Sequence, residues 1–168
     1  TSSVPGEGKS ITSMLIAITS RQMGRSTIIV DCDLRRSAVG RFFDEVINGR
    51  RLEVLDEILA PNFAGDKLEH TDKVSTREDL KRGLTMVLGA FPDYHQTIHD
   101  WICENDKVMA RWTTRGTHLG PYNGVAPTGK VILEHGIDVF RIQSGQIVEH
   151  WVELDLLGIY RQMGVVSI

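Results

Sequence analysis

The sequence predicts an α+β domain from Ser37 to the C-terminus, with helices first and an antiparallel sheet after them. Three observations carry that expectation. Apolar residues recur at helical spacing between Phe42 and Leu88. From Tyr94 the period drops to two and holds to Glu153. Ser144-Gly145 separates two such runs at the two-residue spacing of a tight hairpin. Helices followed by a strand meander pack on one face of a sheet, because each element has one apolar side to hide.

The elements follow in order. Phe42, Phe43, Val46 and Ile47 share one helical face, and Asn48-Gly49 ends that helix. Leu52, Leu55, Ile58 and Leu59 predict a second amphipathic helix, stopped by Pro61. Asp79–Leu88 reads as a third, leaving through Phe91-Pro92-Asp93. Strands are expected over Tyr94–Cys103, Lys107–His118, Lys130–Ile142 and Gln146–Glu153, with a Gly- and Pro-bearing loop over Gly120–Gly129. Leu156–Met163 closes the chain as a short helix.

Composition bounds the partners. At 168 residues, 41% apolar and 24% charged, the chain has enough apolar material for one packed core. A net charge of −3 gives no electrostatic reason to expect nucleic acid or an anionic membrane as partner. Cys32 and Cys103 form neither a metal-ligand spacing nor a disulfide framework, so a reducing cytoplasm is the expected location. No apolar stretch near the start is long enough to span a bilayer.

Residues 1–36 have a different character and are expected to form an appendage, a helix and a strand ahead of the domain at 37–168. VPGEGKS opens a helical stripe, and IIVDCDLRR reads as a strand ending in Asp31 and Asp33. A glycine-rich turn opening a helix offers free backbone N–H groups and a favourable dipole to phosphate. These motifs resemble the bacterial tyrosine kinases of exopolysaccharide synthesis and their partition-ATPase relatives. The resemblance implies Gly8, Lys9 and Ser10 as phosphate and metal contacts. The strand that should feed the loop and the acidic strand that should follow are missing from the chain, so the loop is expected to be vestigial and to hold no cofactor.

The larger segment carries a second resemblance. RFFDEVINGRRLEVLDEILAPNF, AFPDYHQTIHD, GTHLGPYNGVAPTGK and GIDVFRIQSGQIVEHW are similar, in that order, to motifs of the SnoaL-like polyketide cyclases and the broader ester cyclases. That family has the nuclear-transport-factor-2-like fold. The resemblance implies a cone-shaped α+β domain with an internal pocket, a homodimer, a small hydrophobic or polyketide-like ligand, and an aldol ring closure without metal or organic cofactor. It also implies a catalytic aspartate on the last long strand, but that position is Val152 here, and a valine cannot transfer a proton. The family's nearby pocket histidine falls at Asp138, while His150 and Asp155 match positions that are His and Asp in the cyclases.

Period-two geometry puts His150 and Val152 on one side of their strand, and across the Ser144-Gly145 hairpin Asp138 can join them. An Asp138–His150 pair in a cone is either an acid–base couple or a structural hydrogen-bonded pair; both readings stay open here. Trp112 and Phe140 are expected as core or pocket wall. His118 is expected either to line the cone mouth or to anchor the Gly120–Gly129 loop. Asp155 precedes the last helix, where an N-cap is the expected role, with a place at the pocket as the family alternative. Glu149 and Glu153 alternate away from His150. His70, His95, His99 and His135 show no ligand spacing, so no metal site is expected. The pairs Arg50-Arg51 and Lys81-Arg82 read as solvated helix faces.

Three functions therefore stand after the sequence. One is a cyclase-like enzyme of proton transfer, ring closure or isomerisation. Another is a non-catalytic binding module of the same fold, with Val152 as its mark. The third is an ATP-binding regulator built on Lys9.

Overall fold

A computed structural model describes residues 38–66 and 75–166. The expected helix-strand appendage and phosphate loop (Gly8, Lys9, Ser10) lie outside the described residues, as does His70. The chain enters through α1 (Ala38–Arg41), which widens into a π-helical segment, Phe42–Asn48. That segment buries Phe42, Phe43, Val46 and Ile47, the residues whose spacing predicted a helix. A 3-10 turn, Leu52–Val54, leads into α2 (Leu55–Ile58). The predicted continuation of this helix to Pro61 is wrong: Leu59–Ala64 is strand β1. Pro61 is tolerated there because β1 is an edge strand, where one N–H row needs no partner.

Helix α3 spans Arg77–Ala90 and starts at a capping box. Thr76 Oγ1 accepts from the Asp79 N–H, while Asp79 Oδ2 accepts from the Thr76 N–H at 3.0 Å. Strands β2 (His95–Glu104), β3 (Lys107–Thr117), β4 (Val131–Gln143) and β5 (Gln146–Leu154) follow, within a residue or two of their predicted bounds. Helix α4 is Leu156–Met163, as predicted. Ser144 and Gly145 both have positive φ, at 51° and 79°, the backbone a two-residue hairpin needs to match strand twist.

The five strands form one curved, mixed sheet in the order β1-β5-β4-β3-β2. β1 runs parallel to β5 and the remaining pairs are antiparallel. Alternation is clean on β3 and β4: Val108, Ala110, Trp112 and Thr114 are buried, as are Ile132, Glu134, Gly136, Asp138 and Phe140. This inner face packs against the π-helical segment, α2 and β1 to make the main core. A second cluster, containing Phe91, Tyr122, Ile132, Ile159 and Met163, closes the end where α4 folds back.

Asn48 ties the first helical layer to the sheet edge. Its side-chain oxygen accepts from the Gln96 N–H at 2.8 Å, and its amide donates to the Gln96 carbonyl at 3.0 Å. One side-chain amide thus substitutes for a neighbouring strand at that point of β2, which otherwise leaves its groups unpaired. Arg50 is exposed, as its neighbourhood in the sequence suggested, but it lies past the end of the helical segment rather than on its face. Its φ is 58°, and its guanidinium donates to the carbonyls of Leu88 and Pro92 at the C-terminal end of α3.

Candidate active site

The register of β4 on β5 assembles the site. Asp138 lies opposite Val152, and Phe140 lies opposite His150. Asp138 and His150 therefore share the inner face, and His150 Nε2 sits 2.8 Å from Asp138 Oδ1. β3 supplies the third member, because Trp112 occupies the same face one strand away. Its indole Nε1–H donates to Asp138 Oδ2 at 2.7 Å. Trp112 reaches Asp138 because its neighbour across the ladder is Gly136; a Cβ at that position would drive into the indole ring.

The carboxylate of Asp138 is only 3% exposed, and each of its oxygens has one donor partner. Burying a carboxyl group costs free energy unless it is hydrogen-bonded, and here both oxygens are. The His150 ring is fixed from two sides. It stacks on Phe140 with centroids 4.6 Å apart and planes 7° apart, while Phe42 leans on it at 5.4 Å. With Asp138 ionised, Nε2 of His150 carries the hydrogen and Nδ1 is left as the lone-pair nitrogen. The arrangement is a buried, hydrogen-bonded Asp–His pair whose imidazole plane is fixed by aromatic packing. The alternating sequence pattern anticipated this meeting of Asp138 and His150.

Trp112 and Phe140 belong to the same constellation; the expected pocket-wall residues touch the pair directly. Val152 stands beside it, half-buried, in register with Asp138. His118 and Asp155 are elsewhere. His118 is fully buried at the end of β3, its Nδ1 accepting from the Thr128 N–H at 3.3 Å and its ring 5.3 Å from that of Phe91. That is the loop-anchoring alternative. Asp155 caps α4, accepting from the Gly158 N–H at 2.8 Å. It also borders an open pocket of about 430 Å³ with Arg111, His135 and Glu153. Among the described residues no group of His, Cys, Asp and Glu could hold a metal ion, and no helix is long and apolar enough to cross a membrane.

A second polar band on the inner face was missed. Gln96, Thr114 and Glu134 lie side by side on β2, β3 and β4, all buried. The Tyr94 hydroxyl donates to Glu134 Oε2 at 3.4 Å. Burial pushes the Glu134 carboxyl up to about 7; the Tyr94 bond offsets part of this, and the charges of Asp138 and Asp155 add to it. Burial likewise raises the Tyr94 phenol well above its ordinary range. Glu134 has the parity of Asp138 and Phe140, so period-two counting along β4 is the signal that finds it.

With the site described, comparison with known proteins supplies the family. Residues 37–163 match the family model for SnoaL-like polyketide cyclases. The chain belongs to that family. Aklanonic acid methyl ester cyclase DauD of Streptomyces sp. (strain C5) is 28% identical over 127 residues, covering 75% of this chain and 79% of that protein. Among solved structures, TsrD from Streptomyces laurentii is 27% identical with a TM-score of 0.71, over 82% of this chain and 99% of that one. Wild-type IdmH from Streptomyces antibioticus is 28% identical with a TM-score of 0.66, over 76% and 96%.

Proposed function

We propose that the domain is an acid–base enzyme that closes or isomerises a polyketide-like ring, with Asp138 and His150 doing the work of the family aspartate that Val152 replaces. The observation that supports it is the buried chain Trp112–Asp138–His150 on the inner face, beside Val152. In this reading His150 Nδ1 takes the proton from the carbon between two carbonyls of a β-keto ester. The resulting enolate attacks a second carbonyl carbon, forming the C–C bond. The imidazolium, held by Asp138, then returns the proton to the new alkoxide. Asp138 stays ionised throughout, and its bond from Trp112 keeps it from rotating away. Nothing in the step needs a metal or an organic cofactor.

The named relative suggests the assay: turnover of aklanonic acid methyl ester, followed by chromatography. His150→Ala and Asp138→Asn are each expected to lower kcat by about a hundredfold or more, the usual worth of a positioned acid–base group. Turnover within a few-fold of wild type in both variants would remove the pair from the mechanism.

Val152 favours a second reading, a binding module that holds such a ligand without converting it. In that case the wild-type protein binds aklanonic acid methyl ester and returns it unchanged. The remaining features of the proposal are a homodimer through the outer sheet face, a cytoplasmic location, and residues 1–36 as an appendage that does not hold nucleotide.

A further inference from the structure

The Gln96–Thr114–Glu134 band is used by none of the chemistry above. Its three side chains are direct cross-strand neighbours. On one side lies the row Ile98, Trp112, Gly136 and Leu154; on the other lie Gly116 and Ile132. A polar row set between apolar rows inside a sheet face loses its hydration on folding, so each atom needs a replacement partner. Glu134 has one in Tyr94. Gln96 is only 7% exposed, and its Oε1 is buried with no partner among the described residues.

That oxygen accepts and cannot donate, so what it lacks is a hydrogen-bond donor. A route from solvent lies next to it. Gln96 lines a cleft of about 400 Å³ between the π-helical segment and β2, together with Asp44, Asn48, His95, Ile98 and Trp101. The cleft offers two aromatic or aliphatic surfaces, Ile98 and Trp101, to a flat ring.

From this we infer that Gln96, backed on the inner face by Thr114 and Glu134, forms a recognition subsite for a phenolic or enolic hydroxyl of an aromatic ligand, with Gln96 Oε1 accepting its hydrogen. It rests on the reading that the inner face takes a polyketide-like ring. It adds to that reading a specificity-determining group distant from the Asp138–His150 pair. A site that offers a buried acceptor rejects a ligand lacking the hydroxyl, because the acceptor is then left unpaired.

The test is a fluorescence titration with 1,3-dihydroxynaphthalene and with its dimethyl ether, which keeps the ring and the oxygens but has no donor. Wild type is expected to bind the diol at least about tenfold more tightly than the ether. Gln96→Met, close in shape but without the amide, is expected to bind both equally. It should melt within a few degrees of wild type or higher, since it removes an unpaired buried oxygen rather than a working bond. Glu134→Gln, which keeps both a donor and an acceptor, is expected to retain the preference. Equal binding of diol and ether by wild type, or an undiminished preference in Gln96→Met, would overturn the inference. The readout requires no turnover. A protein that prefers the diol yet converts nothing keeps this subsite and sinks the acid–base reading; an active enzyme without the preference does the reverse.

Discussion

At the scale of residues, two buried carboxyls on one strand meet opposite fates. Asp138 receives a donor on each oxygen, whereas Glu134 has only a long bond from Tyr94 at 3.4 Å and is pushed up to about 7. A glutamate in an unfolded chain ionises near its ordinary value of 4.5. The folded protein therefore holds this proton more tightly than the unfolded one. The contribution is fully present below about 4.5, declines as pH rises, and is gone above about 7, a change on the order of 3 kcal/mol. Glu134→Gln is expected to remove that slope and to be more stable than wild type at pH 8, as read by urea denaturation at pH 5 and 8. A variant less stable than wild type at pH 8 would contradict the burial argument. Much of the pair was legible beforehand: alternation alone brought Asp138, His150 and Val152 to one face. Glu134 was equally legible by parity and went unread. Gln96 was legible in the same way, since it shares the parity of Tyr94 and Ile98; the bulge between Ile98 and Asp100 shifts which residues face inward only beyond it.

At the scale of elements, what the sequence did not reveal were departures from regular period. Leu59 and Phe63 fit a helical continuation as well as a strand, and only the parallel pairing of β1 with β5 decides for the strand. The π-helical turn keeps the Phe42, Phe43, Val46 and Ile47 stripe that a regular helix also predicts, so the stripe cannot distinguish them. The Arg50 bonds to the end of α3 are tertiary and leave no mark in local composition. β4 shows how an element is shaped to hold the site. Gly136 would ordinarily weaken a central strand, yet it is the space the Trp112 indole needs to reach Asp138. Gly136→Ala is expected to displace that ring and cost about 1–3 kcal/mol of stability, the usual range for overpacking a core. Thermal unfolding checks the cost, and an alanine variant as stable as wild type would show that Trp112 has another place to go.

At the scale of the whole molecule, the outer face of the sheet is as telling as the inner one. Ile102, Met109, Val139 and Trp151 make an unbroken cross-strand row over β2, β3, β4 and β5, with Leu133 and Ile137 exposed nearby. Lys107 and Arg141 lie over the Trp151 ring at 5.6 and 5.9 Å, bounding the apolar row with charge. An apolar strip across four strands that the described residues leave partly exposed invites a second copy. Light scattering at micromolar concentration is expected to give twice the chain mass, and a monomer mass would reject the dimer. Inside, the proposed mechanism has Asp138 and His150, hydrogen-bonded beside Val152, act as one unit. The measurement that tests this most directly is a double-mutant cycle on turnover of aklanonic acid methyl ester. With Asp138→Asn and His150→Ala each slowing kcat by about a hundredfold or more, the double variant is expected to be no slower than the worse single one, as for groups that work together. Losses that multiply, or single variants that turn over like wild type, would contradict the paired acid–base mechanism.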